Sequence, residues 1–139
     1  MQETVLLVHG VLMTARVMAV LARRLRGCGY RTVLFDYPTR GRCLRDNAHS
    51  LARFVGGLGS PTVHLVGHSM GGVTALLLAE RHRSLVRGVV DIDGNKSPDD
   101  CTFSSQAAAQ GLGMDVQDAG HLVQLGHLIE VAPHQVADP

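Results

Sequence analysis

The chain has 139 residues, a length typical of a single domain, and we expect one domain over residues 1–139. Hydrophobic residues make up 45% and the formal net charge is +1, which excludes a disordered chain and gives no general attraction to nucleic acid or to anionic membranes. Aromatic residues make up only 4%, with no Trp, which argues against a base-stacking platform. No apolar run approaches the roughly 20 residues of a membrane span, and the first residues lack the basic segment of a signal peptide.

The charges and the cysteines are unevenly placed along the chain. Residues 1–90 carry 12 Lys/Arg against 4 Asp/Glu, whereas residues 91–139 carry Lys96 alone against 8 Asp/Glu. We interpret this as two halves of one fold that partly neutralise each other. The cysteines, Cys28, Cys43 and Cys101, are odd in number and widely spaced, which indicates neither a disulfide framework nor a metal site. Free thiols favour a cytoplasmic location.

Strands and helices alternate over the first 92 residues. Short apolar runs predict buried strands, and apolar positions at helical spacing predict the helices between them. In order, we expect strand 4–8, helix 14–26, strand 31–36, helix 43–56, a strand beginning at residue 63, a helix ending near residue 82 and strand 86–92. This alternation is typical of a three-layer α/β sandwich, with a mostly parallel sheet and helices on both faces.

The patterns after Asp93 are weaker. They predict a polar loop over residues 94–105, a helical turn at 106–110, a short fifth strand at 114–117 and a helix over 122–131. The sheet would then have about five strands. Ligand sites of such sheets lie at the carboxyl ends of the strands, where His9, Asp36, Ser69 and Asp93 all fall.

The most informative stretch is Gly67-His68-Ser69-Met70-Gly71, which follows an apolar strand and precedes an apolar helix. G-x-S-x-G in this setting is the nucleophile elbow, a sharp turn that projects the serine hydroxyl at the strand's end. The helix N-terminus beside Ser69 presents unpaired N–H groups and the positive end of the helix dipole, which suit a developing oxyanion. The alternative is a glycine-rich strand-to-helix turn that carries a surface serine.

Three motifs in this order resemble the α/β-hydrolase superfamily, specifically its lipase- and esterase-like serine members. They are Val8-His9-Gly10 after the first strand, the Gly67–Gly72 elbow, and Ala119-Gly120-His121 near the end. The resemblance implies a truncated α/β-hydrolase fold. It also implies that the chain lacks a lid, because only 27 residues separate Asp93 from His121.

The resemblance assigns roles residue by residue. Ser69 matches the nucleophile and His121 the general base, while the main-chain N–H groups of Met70 and Val11 match the oxyanion hole. His9 matches a histidine that braces the oxyanion loop.

The acid of the triad is the open assignment. Relatives usually carry it after a later strand, but some carry it after the strand that corresponds to 86–92. Asp93 stands just past that strand and in the order Ser, acid, His, so we expect it to be the acid; a turn-forming role before Gly94-Asn95 is the alternative. Asp91, Asp115 and Asp118 remain the other candidates. Asp36 is interpreted as a loop anchor.

We therefore expect a serine hydrolase that cleaves a small-molecule carboxylic ester through an acyl-enzyme, with no metal and no organic cofactor. An acyltransferase would use the same residues. The alternative from another class is an eroded or fragmentary hydrolase fold that acts as an interaction module. A sheet without its last strands would expose an edge, through which a homo-oligomer could form.

Overall fold

The computed structural model describes residues 2–94, and the predicted elements at 106–110, 114–117 and 122–131 lie outside that range. The strands are Thr4–Val8 (β1), Arg31–Phe35 (β2), Val63–His68 (β3) and Val86–Ile92 (β4), and the helices are Ala19–Gly27 (α1), Leu44–Gly56 (α2) and Met70–Arg81 (α3). A single 3-10 turn, Ala15–Met18, leads into α1. Every strand and helix predicted before residue 93 is present.

The four strands form one parallel sheet in the order β2-β1-β3-β4. Val8 at the end of β1 lies opposite Phe35 of β2 and Gly67 of β3, and Gly67 lies opposite Asp91 of β4. The carboxyl ends of all four strands therefore meet at one edge of the sheet. The loops that follow them are brought together there.

The sheet carries a separate apolar cluster on each face. On one face, Val5, Leu7 and Val66 pack against Met18 of the 3-10 turn and Ala22 of α1. On the other face, the larger cluster joins the sheet to α2 and α3; it includes Leu6, Leu65, Leu51, Val73 and Leu77. Each leucine buried this fully contributes about 1.5–3 kcal/mol relative to an exposed one. The three-layer α/β prediction is confirmed.

The element boundaries differ from the sequence prediction at two places that matter for the site. The helix predicted from residue 14 begins instead as a 3-10 turn, and the free N–H of Ala15 at its start donates to the Asp36 carboxylate at 3.0 Å. β2 ends at Phe35, one residue before the predicted end at Asp36. The third strand reaches His68, directly before the elbow serine.

β4 is the outermost strand on its side of the sheet within residues 2–94. Its Val90 and Ile92 side chains are 57% and 39% exposed, so one face of this strand is apolar and uncovered in the described part of the chain. No helix of residues 2–94 combines the length and the apolar character needed to cross a membrane.

Candidate active site

Ser69 lies at the junction of β3 and α3, in a conformation that amino acids with side chains rarely adopt. Its φ is 53° and its ψ is −123°. Strained backbone of this kind costs about 1–3 kcal/mol and persists only where the surrounding structure imposes it. Here the Ser69 N–H donates to the Ile92 carbonyl at 2.8 Å, and the Ser69 carbonyl accepts the Gly72 N–H at 2.9 Å. The turn is thus held both by β4 and by the first turn of α3.

Glycines allow α3 to begin this close to the sheet. A Cβ on Gly67 would collide with the backbone of Gly72, and a Cβ on Gly71 would collide with the carbonyl oxygens of Val8 and His9. The first turn of α3 therefore packs directly against the end of β1. This contact places the start of α3 beside the loop that follows β1.

Replacing Gly71 with alanine is expected to lower the free energy of unfolding by about 3 kcal/mol, the upper part of the usual range for overpacking. The reason is that the new methyl group meets two backbone oxygens, which cannot move aside as a flexible side chain could. Urea unfolding followed by circular dichroism measures the change. Gly27→Ala is the matched control, because a Cβ at Gly27 meets nothing within 4 Å and removes glycine's entropic cost in a helix. Equal effects of the two substitutions would contradict the packing assigned to Gly71.

The loop after β1 lies against the elbow. A Cβ on Gly10 would be 3.1 Å from the Ser69 Cβ and 3.1 Å from His68 Nδ1. Val11 follows Gly10 in this loop, and Met70 is the first residue of α3, so its N–H has no acceptor within the helix. Two main-chain donors assigned to the oxyanion hole thus belong to segments that flank the serine.

His9 is completely buried, and its imidazole holds the loop after β1 through polar contacts. Its Nδ1 lies 2.9 Å from the Gly10 carbonyl oxygen, and its Nε2 lies 3.0 Å from Oδ1 of Asp36. Asp36 also accepts the Ala15 N–H. The His9 and Asp36 side chains therefore join the loop after β1 to the loop after β2.

The carboxylates of Asp91, near the end of β4, and of Asp93, just after it, have different surroundings. Asp93 is exposed, has a φ of 57° and follows Ile92, whose carbonyl accepts the Ser69 N–H. Asp91 instead faces α3, since its carboxylate occupies the space where a Cβ on Gly72 would lie. The structure therefore brings Ser69, Met70, Val11 and Asp93 to one end of the sheet. The predicted base His121, and Asp115 and Asp118, lie outside the described residues.

Two buried hydroxyls near the elbow were not singled out from the sequence. Tyr37 is 7% exposed, donates its O–H to the His9 carbonyl at 2.6 Å, and stacks its ring on the His9 imidazole with centroids 4.4 Å apart. Thr74 is fully buried and donates its hydroxyl to the Met70 carbonyl at 2.9 Å. The available signals were a tyrosine directly after a buried strand and a threonine four residues after Met70 in a helix.

Burial of the phenol raises the pKa of Tyr37, and the neighbouring Thr74 hydroxyl opposes that rise. The phenol is therefore neutral over the physiological pH range and remains a hydrogen-bond donor.

An open cleft of about 470 Å³ lies beside the braced loops; it is lined by Met13, Thr14, Asp36, Tyr37, Pro38, Thr39 and Arg40. No group of three His, Cys, Asp or Glu side chains within residues 2–94 is arranged to hold a metal ion.

A parallel sheet with helices on both faces and a strained serine between a strand and a helix defines the class of this protein. The alpha/beta hydrolase fold family model matches residues 3–120, and the chain belongs to that family. A comparison with curated proteins finds no match.

Solved structures with the same fold include a monoacylglycerol lipase from Paleococcus ferrophilus, which is 28% identical with a TM-score of 0.64; the match covers 78% of this chain and 46% of that one. A structure from a study of carboxylesterases of Nitrososphaera gargenis is 17% identical with a TM-score of 0.67, over 99% of this chain and 54% of that one. A pyrethroid hydrolase from Sphingobium faniae is 20% identical with a TM-score of 0.60, over 70% and 42%. The last two likenesses concern the fold alone. The chain spans about half the length of these structures.

Proposed function

We propose that this protein is a serine hydrolase that cleaves small carboxylic esters, with Ser69 as the nucleophile. The observation that carries the proposal is the strained backbone of Ser69, with its φ of 53°, held between β4 and the first turn of α3. A fold that stores strain at a serine, and surrounds it with glycines, is best explained by a need to present that hydroxyl.

In the proposed reaction, the Ser69 hydroxyl attacks the ester carbonyl while His121 takes its proton. The negative charge that develops on the carbonyl oxygen is stabilised by the N–H groups of Met70 and Val11. His121 then gives the proton to the departing alcohol, which leaves an acyl group on Ser69. Water activated by His121 releases the acid and restores the serine, and Asp93 orients the imidazole throughout.

The comparisons support an ester as the substrate class. The similar structure at 28% identity is a monoacylglycerol lipase.

A fluorophosphonate probe tests the proposal directly, because it phosphonylates only a serine that is activated in the folded protein. We expect one adduct on intact protein, located on Ser69 by peptide mass spectrometry, and none after heat denaturation. Ser50 and Ser60 serve as internal controls in the same spectra. An unmodified Ser69 in folded protein would overturn the proposal.

The choice of Asp93 as the acid has its own test. Asp93→Asn is expected to lower kcat by up to about 10⁴-fold, because an amide holds the wrong tautomer of the base, while KM stays near its wild-type value. Asp115→Asn and Asp118→Asn are matched controls that should remain within about threefold of wild type. A loss confined to one of those controls, or to Asp91→Asn, would move the assignment to that residue.

One observation favours a second candidate function, an interaction module that pairs through its sheet. Val90 and Ile92 leave an apolar face on β4 uncovered within residues 2–94, and a second copy of the chain is the partner that this surface suits. Light scattering over a range of concentrations tests the pairing. A dimer that Val90→Lys dissociates, together with ester turnover no greater than that of Ser69→Ala, would favour this function over hydrolysis.

A further inference from the structure

The loop after β1 contains a leucine in a backbone conformation that leucine rarely adopts. Leu12 directly follows Val11, whose N–H is one of the two donors of the proposed oxyanion hole, and its φ is 57°. Residues with a branched side chain are uncommon in this left-handed region. The Leu12 side chain is 52% exposed, so its burial does not account for the conformation. A contact of the backbone itself must hold Leu12 in place.

That contact comes from Thr39 in the loop after β2. The Leu12 N–H donates to Thr39 Oγ1 at 3.0 Å, across 27 residues of sequence. Thr39 follows Pro38, whose ring fixes its own φ. Before the proline stands the buried Tyr37, which donates its hydroxyl to the His9 carbonyl at 2.6 Å. The Thr39 oxygen is therefore presented to Leu12 from a stiff and anchored segment.

The peptide groups on both sides of Val11 are each held at one atom. On one side, His9 Nδ1 binds the Gly10 carbonyl oxygen at 2.9 Å, and on the other side Thr39 binds the Leu12 N–H. In a trans peptide the C=O and the N–H point in opposite directions, so the first contact directs the Val11 N–H away from the imidazole. One contact still lets that peptide turn about the hydrogen bond. The second contact limits the turn, because only the Val11 torsions separate the two peptide planes.

A small turn of this loop would matter for the chemistry. The loop lies against the elbow, since a Cβ on Gly10 would be 3.1 Å from the Ser69 Cβ. An oxyanion donor is effective only when it is already about 2.7–3.1 Å from the position that the oxyanion will occupy. A Val11 N–H that turned away would have to be brought back in the transition state, at a cost in rate.

We propose that Thr39 is a positioning residue of the oxyanion hole. By accepting the Leu12 N–H, its hydroxyl holds Leu12 in the left-handed conformation and so sets the direction of the Val11 N–H before the substrate binds. This role rests on the proposed function. It requires a hydroxyl oxygen at residue 39 rather than a side chain of a given volume, and it acts on the transition state rather than on substrate binding.

Kinetics of p-nitrophenyl acetate hydrolysis by Thr39→Val test this role, because valine keeps the shape of threonine and removes the acceptor. We expect kcat to fall about 10-fold with KM within about twofold of wild type; the loss of a whole donor costs more, about 10²- to 10³-fold. Thr39→Ser keeps the hydroxyl and should keep kcat. Thr62→Val is the matched control, because Thr62 stands just before β3, at the opposite edge of the sheet, and it should leave both constants unchanged.

A second pair of variants tests whether Thr39 acts through the conformation of Leu12. Asparagine enters the left-handed region more readily than leucine, so Leu12→Asn should depend less on the Thr39 hydroxyl. Adding Thr39→Val to Leu12→Asn should lower kcat by no more than about threefold relative to Leu12→Asn alone. The same 10-fold loss in both backgrounds would contradict the proposed route through Leu12.

Three further results would overturn the positioning role: a Thr39→Val variant with wild-type kcat, a raised KM with unchanged kcat, or a Thr39→Ser variant as slow as Thr39→Val. Inactive wild-type protein with an unlabelled Ser69 would instead defeat the proposed function. Amide NMR then still tests the geometry. In Thr39→Val the Leu12 amide should exchange with solvent about tenfold faster and the Val11 amide resonance should shift, whereas an unchanged Val11 resonance would contradict the role of Thr39.

Discussion

Replacing Ser69 with alanine is expected to lower kcat for a small ester by at least about 10⁴-fold and to abolish labelling by a fluorophosphonate. The reason is that no acyl-enzyme can form without the hydroxyl, so only binding and the oxyanion donors still act on the substrate. Steady-state hydrolysis of p-nitrophenyl acetate measures the loss, with the substrate's spontaneous hydrolysis subtracted.

The fold should tolerate this substitution, which makes the kinetic result interpretable. Alanine keeps the Cβ and with it the cost of a φ of 53°, so the free energy of unfolding should change by no more than about 0.5 kcal/mol. Ser69→Gly should raise it by about 1 kcal/mol, because glycine adopts this conformation without strain. Ser50→Ala, on α2, is the control and should remain fully active. A Ser69→Ala variant as active as wild type would contradict the assignment of Ser69 as the nucleophile.

The second large effect is expected from His121→Ala, which should lower kcat on the order of 10⁴-fold or more, because a serine hydroxyl is a poor nucleophile without a base. His127→Ala, six residues further along the chain, is the matched control and should stay near wild-type activity. Added imidazole should restore part of the turnover of His121→Ala, since it supplies the missing proton acceptor.

The pH profile separates a base from a structural histidine at this position. The wild-type kcat/KM should fall as pH drops below the range in which an imidazole is neutral, and His121→Ala should lose that limb. A variant that keeps both its rate and its acid limb would assign the proton transfer to a different residue. Ser69 could then still be the nucleophile, so the two substitutions test separate parts of the proposal.

Local patterns along the chain were sufficient for the architecture. The apolar run of β1 and the helical spacing of apolar residues in α2 each depend only on which faces of a strand or helix are buried, and their order requires parallel strands with crossover helices. The elbow was also predictable, because Gly67 and Gly71 flank Ser69 at positions where no side chain fits. The resemblance to α/β hydrolases, carried by three short motifs, is confirmed by the family match over residues 3–120.

Tertiary structure decided what the sequence pattern could not. Tyr37 bonds to the His9 carbonyl 28 residues away, and no periodicity predicts such a partner, because the contact exists only once β1 and β2 lie side by side. The same pairing brings the Asp36 carboxylate to His9 and to the Ala15 N–H, both at 3.0 Å. Asp91 and Asp93 stand two residues apart in similar sequence surroundings. Strand pairing, which sends Asp91 towards α3 and places Asp93 after the carbonyl that holds Ser69, is what separates them.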